Sequence, residues 1–586
     1  MIQMTKDIGN DQRSHRTWWV FICLLAATVA YAHYDINEVF FSGNVFREWW
    51  TVFRVLKIAI FAFAFPAMLV LLISFRPASR RYYWVVAGLT LVFTGGIFVV
   101  VLYMDYFCKI LNFDKLSDAG NLSSVASQIA IQFIKPHSVI LLVCGLAAVA
   151  LLIRQVRRRT EAAIRRGLII FCYTSVIAYF SLVGLQVWRF GSPVKKLVNY
   201  GGVLTASHYG FIVAYASMIV MHATPPDTAT VVAYPGTINK DLPRRPDIPQ
   251  LTRPNIFMVQ VESLDQHVID LCVGNEQVMP FLHNLKSQCV FFDTCFTHHN
   301  GGGSSDAEFA TLLSILPIVA HNGNTTALYH NIDGLAHTLK RSNYFVSAFH
   351  PNKGSFYHRK EMYSKIGADI FFDADWFTAP AHGWYAQDLA FFEQSFQLLR
   401  KHVRQPFLAY FITIQSHGPF RNHDDQTTDR LHLSEDQFDR VMRDYLASMR
   451  EVDSALARFF QLLKEQYPDG NNLVLIYGDH TSDVIDKSKS GTEEIPLFIV
   501  HPALRSEVIS EPVSLIDIAP TITHLLRIES DKTWQGDTVF TVGPRQVALI
   551  DLTRITRINN DVITERTCDS LLPFRRYSRY LQGEHQ

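Results

Sequence analysis

Two rhythms of apolar and polar residues divide this chain. Before residue 190 the apolar residues fall in long, nearly unbroken runs, and from Asn255 onward short apolar runs alternate with amphipathic stretches. Five early segments, Trp18–His33, Ile58–Phe75, Tyr83–Tyr103, Ser138–Ile153 and Leu168–Val187, are long enough, or nearly so, to cross a bilayer as helices. A cleaved signal peptide does not account for the first, because four further spans follow it and no small-residue cleavage site stands behind it. A sixth apolar stretch, Val203–Met221, contains Ser207, His208 and Ser217 and follows the polar run "GSPVKKLVNYGG". It reads as a helix lying in the membrane interface. If it spans instead, everything after it moves to the other side. Pro225 to Pro254, with "TPPD" and "LPRRPDIPQLTRPN", has no periodic apolar face and reads as an extended linker.

Beyond Asn255 the pattern predicts a different architecture. "NIFMVQVE", "YFVSAFH", "FLAYFITI" and "NLVLIYGDH" are short, continuous apolar runs of the kind that form fully buried strands. Between them lie helical patterns such as "QVMPFLHNLKSQ" and "DQFDRVMRDYLASMREVDSALARFFQLLKEQ". Strand–helix alternation predicts an α/β domain with a mostly parallel sheet. The expected organisation is an α-helical membrane domain of five transmembrane helices over 1–190, an interfacial helix and linker over 191–254, and the α/β domain over 255–586.

Charge adds orientation. Lys6, Arg13 and Arg16 precede the first span, Arg76, Arg80 and Arg81 separate the second and third, and Arg154 to Arg166 separates the fourth and fifth. Basic loops stay in the cytoplasm, so the N-terminus is inside and the α/β domain outside. The net charge of +1 gives no reason to expect nucleic acid as a partner. Four of the eight cysteines, Cys272, Cys289, Cys295 and Cys568, lie beyond the spans. They permit disulfides in any of three pairings and show no zinc-module spacing.

Several predicted strands end in residues that do chemistry: Glu262, His350, His417 in "TIQSHGPF", and Asp479-His480. Ligands of open α/β sheets bind at the carboxyl ends of strands, so these endings converge on one edge. Glu262, Asp479 and His480 make a donor set suited to Mn²⁺, Mg²⁺ or Zn²⁺. One hydroxyl oxygen would complete it, and "HHNGGGSSDAEFATLL" offers two serines where a Gly-rich turn opens a helix. Ser305 with Glu308 fits an S-x-x-E capping box, which leaves Ser304 to face a metal and an incoming phosphate.

The same stretch, "GGGSSDAEF", resembles the nucleophile motif of the lipoteichoic acid synthase and phosphoglycerol transferase family, within the alkaline phosphatase and sulfatase superfamily. "VQVESLD", "FHPNKGSFYHRKEMYSKIGADIFFD", "SHGPF", "YGDHTS", "EIPLFIVHPA" and "SLIDIAPTITHLL" resemble further blocks of that family in the same order. The resemblance implies a sulfatase-like fold, Ser304 as nucleophile, and one divalent ion, most often Mn²⁺, on Glu262, Ser304, Asp479 and His480. It implies that His350, Asn352, Tyr357, Arg359 and His417 line the substrate pocket. Chemistry agrees where it speaks: the Arg359 fork suits phosphate oxygens, and His350 and His417 suit hydrogen bonding or proton transfer.

The implied activity moves a phosphoglycerol group from a phosphatidylglycerol-type lipid to a glycan or glycerol-phosphate acceptor. The implied location is the bacterial plasma membrane, multi-pass, with the catalytic domain extracellular or periplasmic. Ser304 stands where threonine is commoner, "HPN" replaces "HGN", and Tyr357 replaces tryptophan. The last two lie in the substrate segment and keep phosphoethanolamine transfer, or another sulfatase-family phosphodiesterase activity, open as alternatives. "SSDAE" lacks the C/S-x-P-x-R segment of sulfatases. A non-catalytic, lipid-sensing relative should have lost metal ligands, and all four are present.

Overall fold

The computed structural model describes chiefly residues 239–550 with short gaps, and before them chiefly 19–30, 48–75, 80–107, 139–151, 166–190 and 206–223, together with 555–559 and 562–564. Lys6, Arg13, Arg16, Arg76 and Arg154 with the basic loops around them, the linker before residue 239, Gly301 and Gly302, most of Lys487–Glu494, and Cys568 lie outside the described residues. Two compact units emerge, Met1–Pro225 and Pro226–Gln586.

In the first unit the apolar runs form helices Glu48–Phe75, Arg80–Phe107, Arg166–Phe190 and Phe211–Ala223. Among the described residues one helix, Ile169–Trp188, is both long and apolar enough to cross a membrane, and Lys57–Leu71, Trp84–Val100 and Phe211–Val220 are shorter apolar helices. Trp84, Val85, Leu89 and Val92 are exposed along one helix, and Ile170, Tyr173, Ile177 and Phe180 along another. Rows of large exposed apolar side chains at helical spacing mark a surface that does not face water. The helix read as interfacial buries Phe211, Ala214 and Met218 in a cluster with Ala26, Val29, Ala62 and Ile97.

The second unit is built on a nine-stranded sheet. In chain order its strands are β1 Asn255–Val261, β2 Val290–Phe296, β3 Phe345–Phe349, β4 Ile370–Phe372, β5 Phe407–Ile412, β6 Asn472–Gly478, β7 Glu494–Val500, β8 Glu507–Ile509 and β9 Val513–Ser514. Their spatial order is β8-β2-β7-β6-β1-β5-β3-β4, with β9 also beside β2. The sheet is mixed: β7 runs antiparallel to both β2 and β6, while the other pairs are parallel. β7 follows β6 in sequence and lies beside it, an arrangement that antiparallel pairing permits without a crossover helix.

Both faces of β1 are buried, which is why its sequence does not alternate. Ile256 and Met258 point into one core with Ala310 and Leu313 of the helix Ser304–Leu313. Phe257, Val259 and Val261 point into the other, with Phe392 and Phe396 of Asp388–His402 and Phe459 of Arg440–Gln466. The Phe257 ring lies 5.2 Å from Phe407, 5.5 Å from Tyr467 and 5.9 Å from both Phe396 and Phe459. Of the proline-rich segment, the described part from residue 239 onward is docked on the domain. Ile248 and Leu251 enter the core, Arg245 N donates to Phe540 O at 3.1 Å, and Leu251 N donates to Leu525 O at 2.8 Å.

Phe257→Ala should cost about 3–5 kcal/mol, the range for truncating a buried aromatic. Denaturant unfolding of the purified chain, followed by Trp fluorescence, checks it.

Candidate active site

The site begins with strand register. β1 and β6 pair in parallel with Val261 opposite Gly478, so the next residues, Glu262 and Asp479, emerge side by side from the same edge. A Cβ at Gly478 would lie 2.4 Å from Leu264 O, so glycine alone allows the two chain ends to approach this closely. Asp479 Oδ1 accepts from Ser263 N at 2.8 Å and from His480 N at 2.7 Å, which fixes its side chain. Glu262 N donates to Thr413 Oγ1 at 3.1 Å, and Ser416 Oγ donates to Glu262 O at 2.5 Å. His480 Nε2 stands 3.3 Å from Glu262 Oε1 and 3.6 Å from Asp479 Oδ2.

Electrostatics here is unusual. Burial opposes charge on the Glu262 carboxyl, yet the His480 hydrogen bond and the neighbouring His417 and His480 hold it well below the ordinary carboxylate range. Burial and the charge of Glu262 push Asp479 up to about 7. Burial disfavours His480 as a cation, but Asp479 and Glu262 outweigh it and raise the imidazole well above its usual range. The His480 imidazole thus faces both buried carboxyls at once.

Ser304 joins this set. Its Oγ donates to Glu262 Oε2 at 2.9 Å. The helix Ser304–Leu313 is capped by Gly303, whose φ of 49° puts it in the region that favours glycine, and a Cβ there would lie 3.5 Å from the His480 ring. The capping box expected at Ser305 and Glu308 does not form. Both serines lie inside the helix, and the motif's polar side chains turn to a neighbouring helix, Gly323–Tyr329. Asn324 N donates to Ser305 Oγ at 3.1 Å, Gly323 N to Asp306 Oδ1 at 2.7 Å, and Asn324 Nδ2 to Glu308 Oε2 at 3.1 Å.

A second group sits at the ends of β3 and β5. His350 Nδ1 donates to Ile412 O at 3.0 Å, which makes Nε2 the acceptor for Arg359 Nη1 at 3.2 Å. Burial first, and the Arg359 charge second, hold His350 well below its usual pKa, so it is neutral. In this arrangement both of its ring nitrogens are engaged, and it orients Arg359. The Arg359 guanidinium is 5.2 Å from the Tyr357 ring, and Tyr357 and His358 hold φ of 54° and 53°. Consecutive left-handed, non-glycine residues are strained and concentrate where geometry serves a function. Asn352 is buried, and its Oδ1 accepts from Lys353 N at 2.8 Å, a local turn contact.

His417 Nδ1 lies 2.7 Å from Gly418 O, and burial lowers its pKa against the pull of Glu262. Its loop is held by Asp388, whose Oδ1 accepts from Ile414 N at 3.2 Å and Gln415 N at 3.3 Å. Asp388 and Glu308 are the residues that sequence reasoning missed. Glu308 carried a signal, since a carboxylate one turn after Ser304 shares its helix face. Asp388 carried none.

The donor set fits a divalent cation. Ligand atoms of Glu262, Asp479 and His480 all lie within 4.8 Å of one another. Asp479 Oδ2 is buried and makes no well-formed hydrogen bond among the described residues. Two buried carboxylates with one oxygen so placed is what a metal would relieve. Cys272, Cys289 and Cys295 are free thiols.

Comparison with known proteins agrees with this fold. Residues 254–528 match the Sulfatase family model. Lipoteichoic acid synthase 2 of Bacillus subtilis (strain 168) is 24% identical over 477 residues, covering 76% of this chain and 72% of the relative. The crystal structure of the lipoteichoic acid synthase LtaP from Listeria monocytogenes superposes with a TM-score of 0.52 at 22% identity, covering 59% of this chain and 95% of that one. The integral membrane protein lipooligosaccharide phosphoethanolamine transferase A (EptA) from Neisseria meningitidis gives a TM-score of 0.53 at 13% identity over 88% of this chain and 96% of that one. The fold and the family match over residues 254–528 together define an alkaline phosphatase/sulfatase-like domain. Within it, the chain is similar to the lipoteichoic acid synthases, and it is an enzyme of the phosphotransferase class.

Two outcomes are expected. Mn²⁺ at about 100 times its Kd should stabilise the native chain by about 2.7 kcal/mol. Asp479→Asn should abolish that response and, without metal, match or exceed the native stability, because it removes one of two like buried charges; thermal unfolding with and without Mn²⁺ measures both. Burial pushes the Asp388 carboxyl up to about 7. A folded-state pKa above the unfolded value adds stability that is complete below about pH 4 and lost as pH rises through 7. Asp388→Asn should therefore gain on the native chain between pH 5 and pH 8, read from denaturation midpoints.

Proposed function

We propose that this enzyme transfers a phosphoglycerol group from a phosphatidylglycerol-type lipid to a glycan or glycerol-phosphate acceptor, through a covalent phosphoglyceryl intermediate on Ser304. The observation that carries the reading is the Ser304 hydroxyl bonded to Glu262 beside Asp479 and His480, at a helix N-terminus whose dipole favours an anion. Glu262, Ser304, Asp479 and His480 would hold one divalent ion, with Mn²⁺ the metal we favour. When bound, that ion lowers the pKa of the serine hydroxyl and balances charge on the phosphoryl group.

The chain's own residues do the rest. The Ser304 proton passes to water as the hydroxyl ionises, Ser304 Oγ attacks phosphorus, the bond to the diacylglycerol oxygen breaks, and His417 in its imidazolium form, which the Glu262 charge favours, supplies the proton that the leaving alcohol needs. Arg359, oriented by His350 and stacked near Tyr357, holds the phosphate oxygens in line with Ser304, and Asn352 borders the headgroup. An acceptor hydroxyl, deprotonated by His417, then displaces Ser304. Two carboxylates of the region, Glu308 and Asp373, are occupied by Arg359 and Lys360, which suits a neutral glycerol better than an ammonium headgroup. The exposed apolar helix rows support a membrane anchor, and we propose five spans with the catalytic domain outside the bacterial plasma membrane. Confinement of enzyme and lipid to one surface would then replace free diffusion.

Reconstitution in vesicles with phosphatidylglycerol labelled in its acyl chains tests this. The native chain with Mn²⁺ should release labelled diacylglycerol, and Ser304→Ala should reduce release by about 10³-fold or more. Release from phosphatidylethanolamine alone would transfer the reading to phosphoethanolamine. No release from either lipid would end it.

A further inference from the structure

The nucleophile helix carries a second acidic residue whose side chain does not touch the metal-type cluster. Glu308 follows Ser304 by four residues, so the two project from the same helix face. Its carboxylate is fully buried and saturated with donors. Oε1 accepts from Arg359 Nη2 at 2.7 Å and Arg359 Nε at 3.0 Å, and Oε2 accepts from Tyr363 OH at 2.8 Å and Asn324 Nδ2 at 3.1 Å. The pair is sealed, with side-chain exposures of 3% for Arg359 and 0% for Glu308. Tyr363 belongs to the same helix as Arg359, Arg359–Lys365, so one carboxylate grips that helix at two points.

The guanidinium makes two further contacts. Nη1 reaches His350 Nε2 at 3.2 Å, and the Tyr357 ring lies 5.2 Å away. An arginine with one edge fixed on a carboxylate keeps the other at a set position, which a free side chain does not do. The distance between Ser304 and Arg359 is then fixed by one turn of helix and one ion pair.

Resting on the reading of Ser304 as nucleophile and Arg359 as phosphate ligand, we infer that Glu308 is a positioning residue: it locks Arg359 to the helix that bears Ser304, so that attacking oxygen and phosphate-holding guanidinium form one rigid unit. Glu308 contributes no proton and touches no substrate. Its effect on the reaction passes entirely through Arg359.

A double-mutant cycle on the full-length chain tests this. Diacylglycerol release from labelled phosphatidylglycerol is measured for the native chain, Glu308→Gln, Arg359→Gln and the double variant. Glu308→Gln should lower kcat/KM by about 10²-fold, the scale of a misplaced reacting group. The double variant should be no slower than Arg359→Gln alone. Mn²⁺ stabilisation in thermal unfolding should be unchanged in Glu308→Gln, because its contacts do not include the donor set.

Multiplying losses in the double variant, full activity in Glu308→Gln, or loss of the Mn²⁺ response with it would each overturn the inference. A native chain that spares phosphatidylglycerol but cleaves bis(p-nitrophenyl) phosphate ends the proposed donor alone, and the cycle is then read on that diester with the same expectations. A native chain inert toward both overturns the functional reading and this inference with it.

Discussion

Two carboxylates buried side by side repel each other, and the catalytic unit is arranged around that repulsion. Register between β1 and β6 puts Glu262 beside Asp479, and the glycine at 478 lets the chains close to that distance. His480 then stands within 3.6 Å of both. Such a cluster is costly unless a cation neutralises it. The local backbone is built to sustain that cost, with Ser263 N and His480 N both aimed at Asp479 Oδ1. A site that fixes its ligands before the ion arrives loses little freedom when the ion binds.

The rest of the machinery is hung from the same sheet edge. β5 leads to the His417 loop, β3 to His350, and the helix Ser304–Leu313 lies over the core face of Ile256 and Met258. In "SSDAE", Ser305, Asp306 and Glu308 each have a partner on a neighbouring helix, so the motif is a fastening for the nucleophile helix as well as its chemistry. Tyr410 OH donates to Gln260 Oε1 at 2.5 Å, and Gln260 Nε2 donates to Ser304 O at 3.3 Å, which ties the start of that helix to β1 from beneath. Buried polar networks of this kind hold geometry when every member is satisfied.

Much of this was legible in the sequence, for a physical reason. Strands buried on both faces read as continuous apolar runs, so β1, β3, β5 and β6 stood out, and their ends named Glu262, His350, His417 and Asp479. Other elements escaped. β2, in "CVFFDTCF", is interrupted by Asp293 and Thr294 where its register with β7 shifts, and it loses the apolar continuity that marks its neighbours. The direction of β7 is set by what it packs between, and no local pattern encodes that. Ser305 and Glu308 fit a capping box perfectly well by spacing, yet tertiary partners, Asn324 and Arg359, outcompete the helix's own N-terminus. Spacing rules describe a helix in isolation, and a buried helix answers to its neighbours. Ile248 and Leu251 illustrate the same limit, being two apolar residues among prolines that dock onto the core from what reads as linker.

The central claim is that Glu262, Asp479 and His480 gather one cation against the Ser304 oxygen. Anomalous diffraction from a crystal of the enzyme grown with Mn²⁺, recorded at the manganese edge, tests it most directly. The account predicts a single strong peak bounded by those three side chains and by Ser304 Oγ. A peak elsewhere in the catalytic unit, or none there at saturating Mn²⁺, would contradict it.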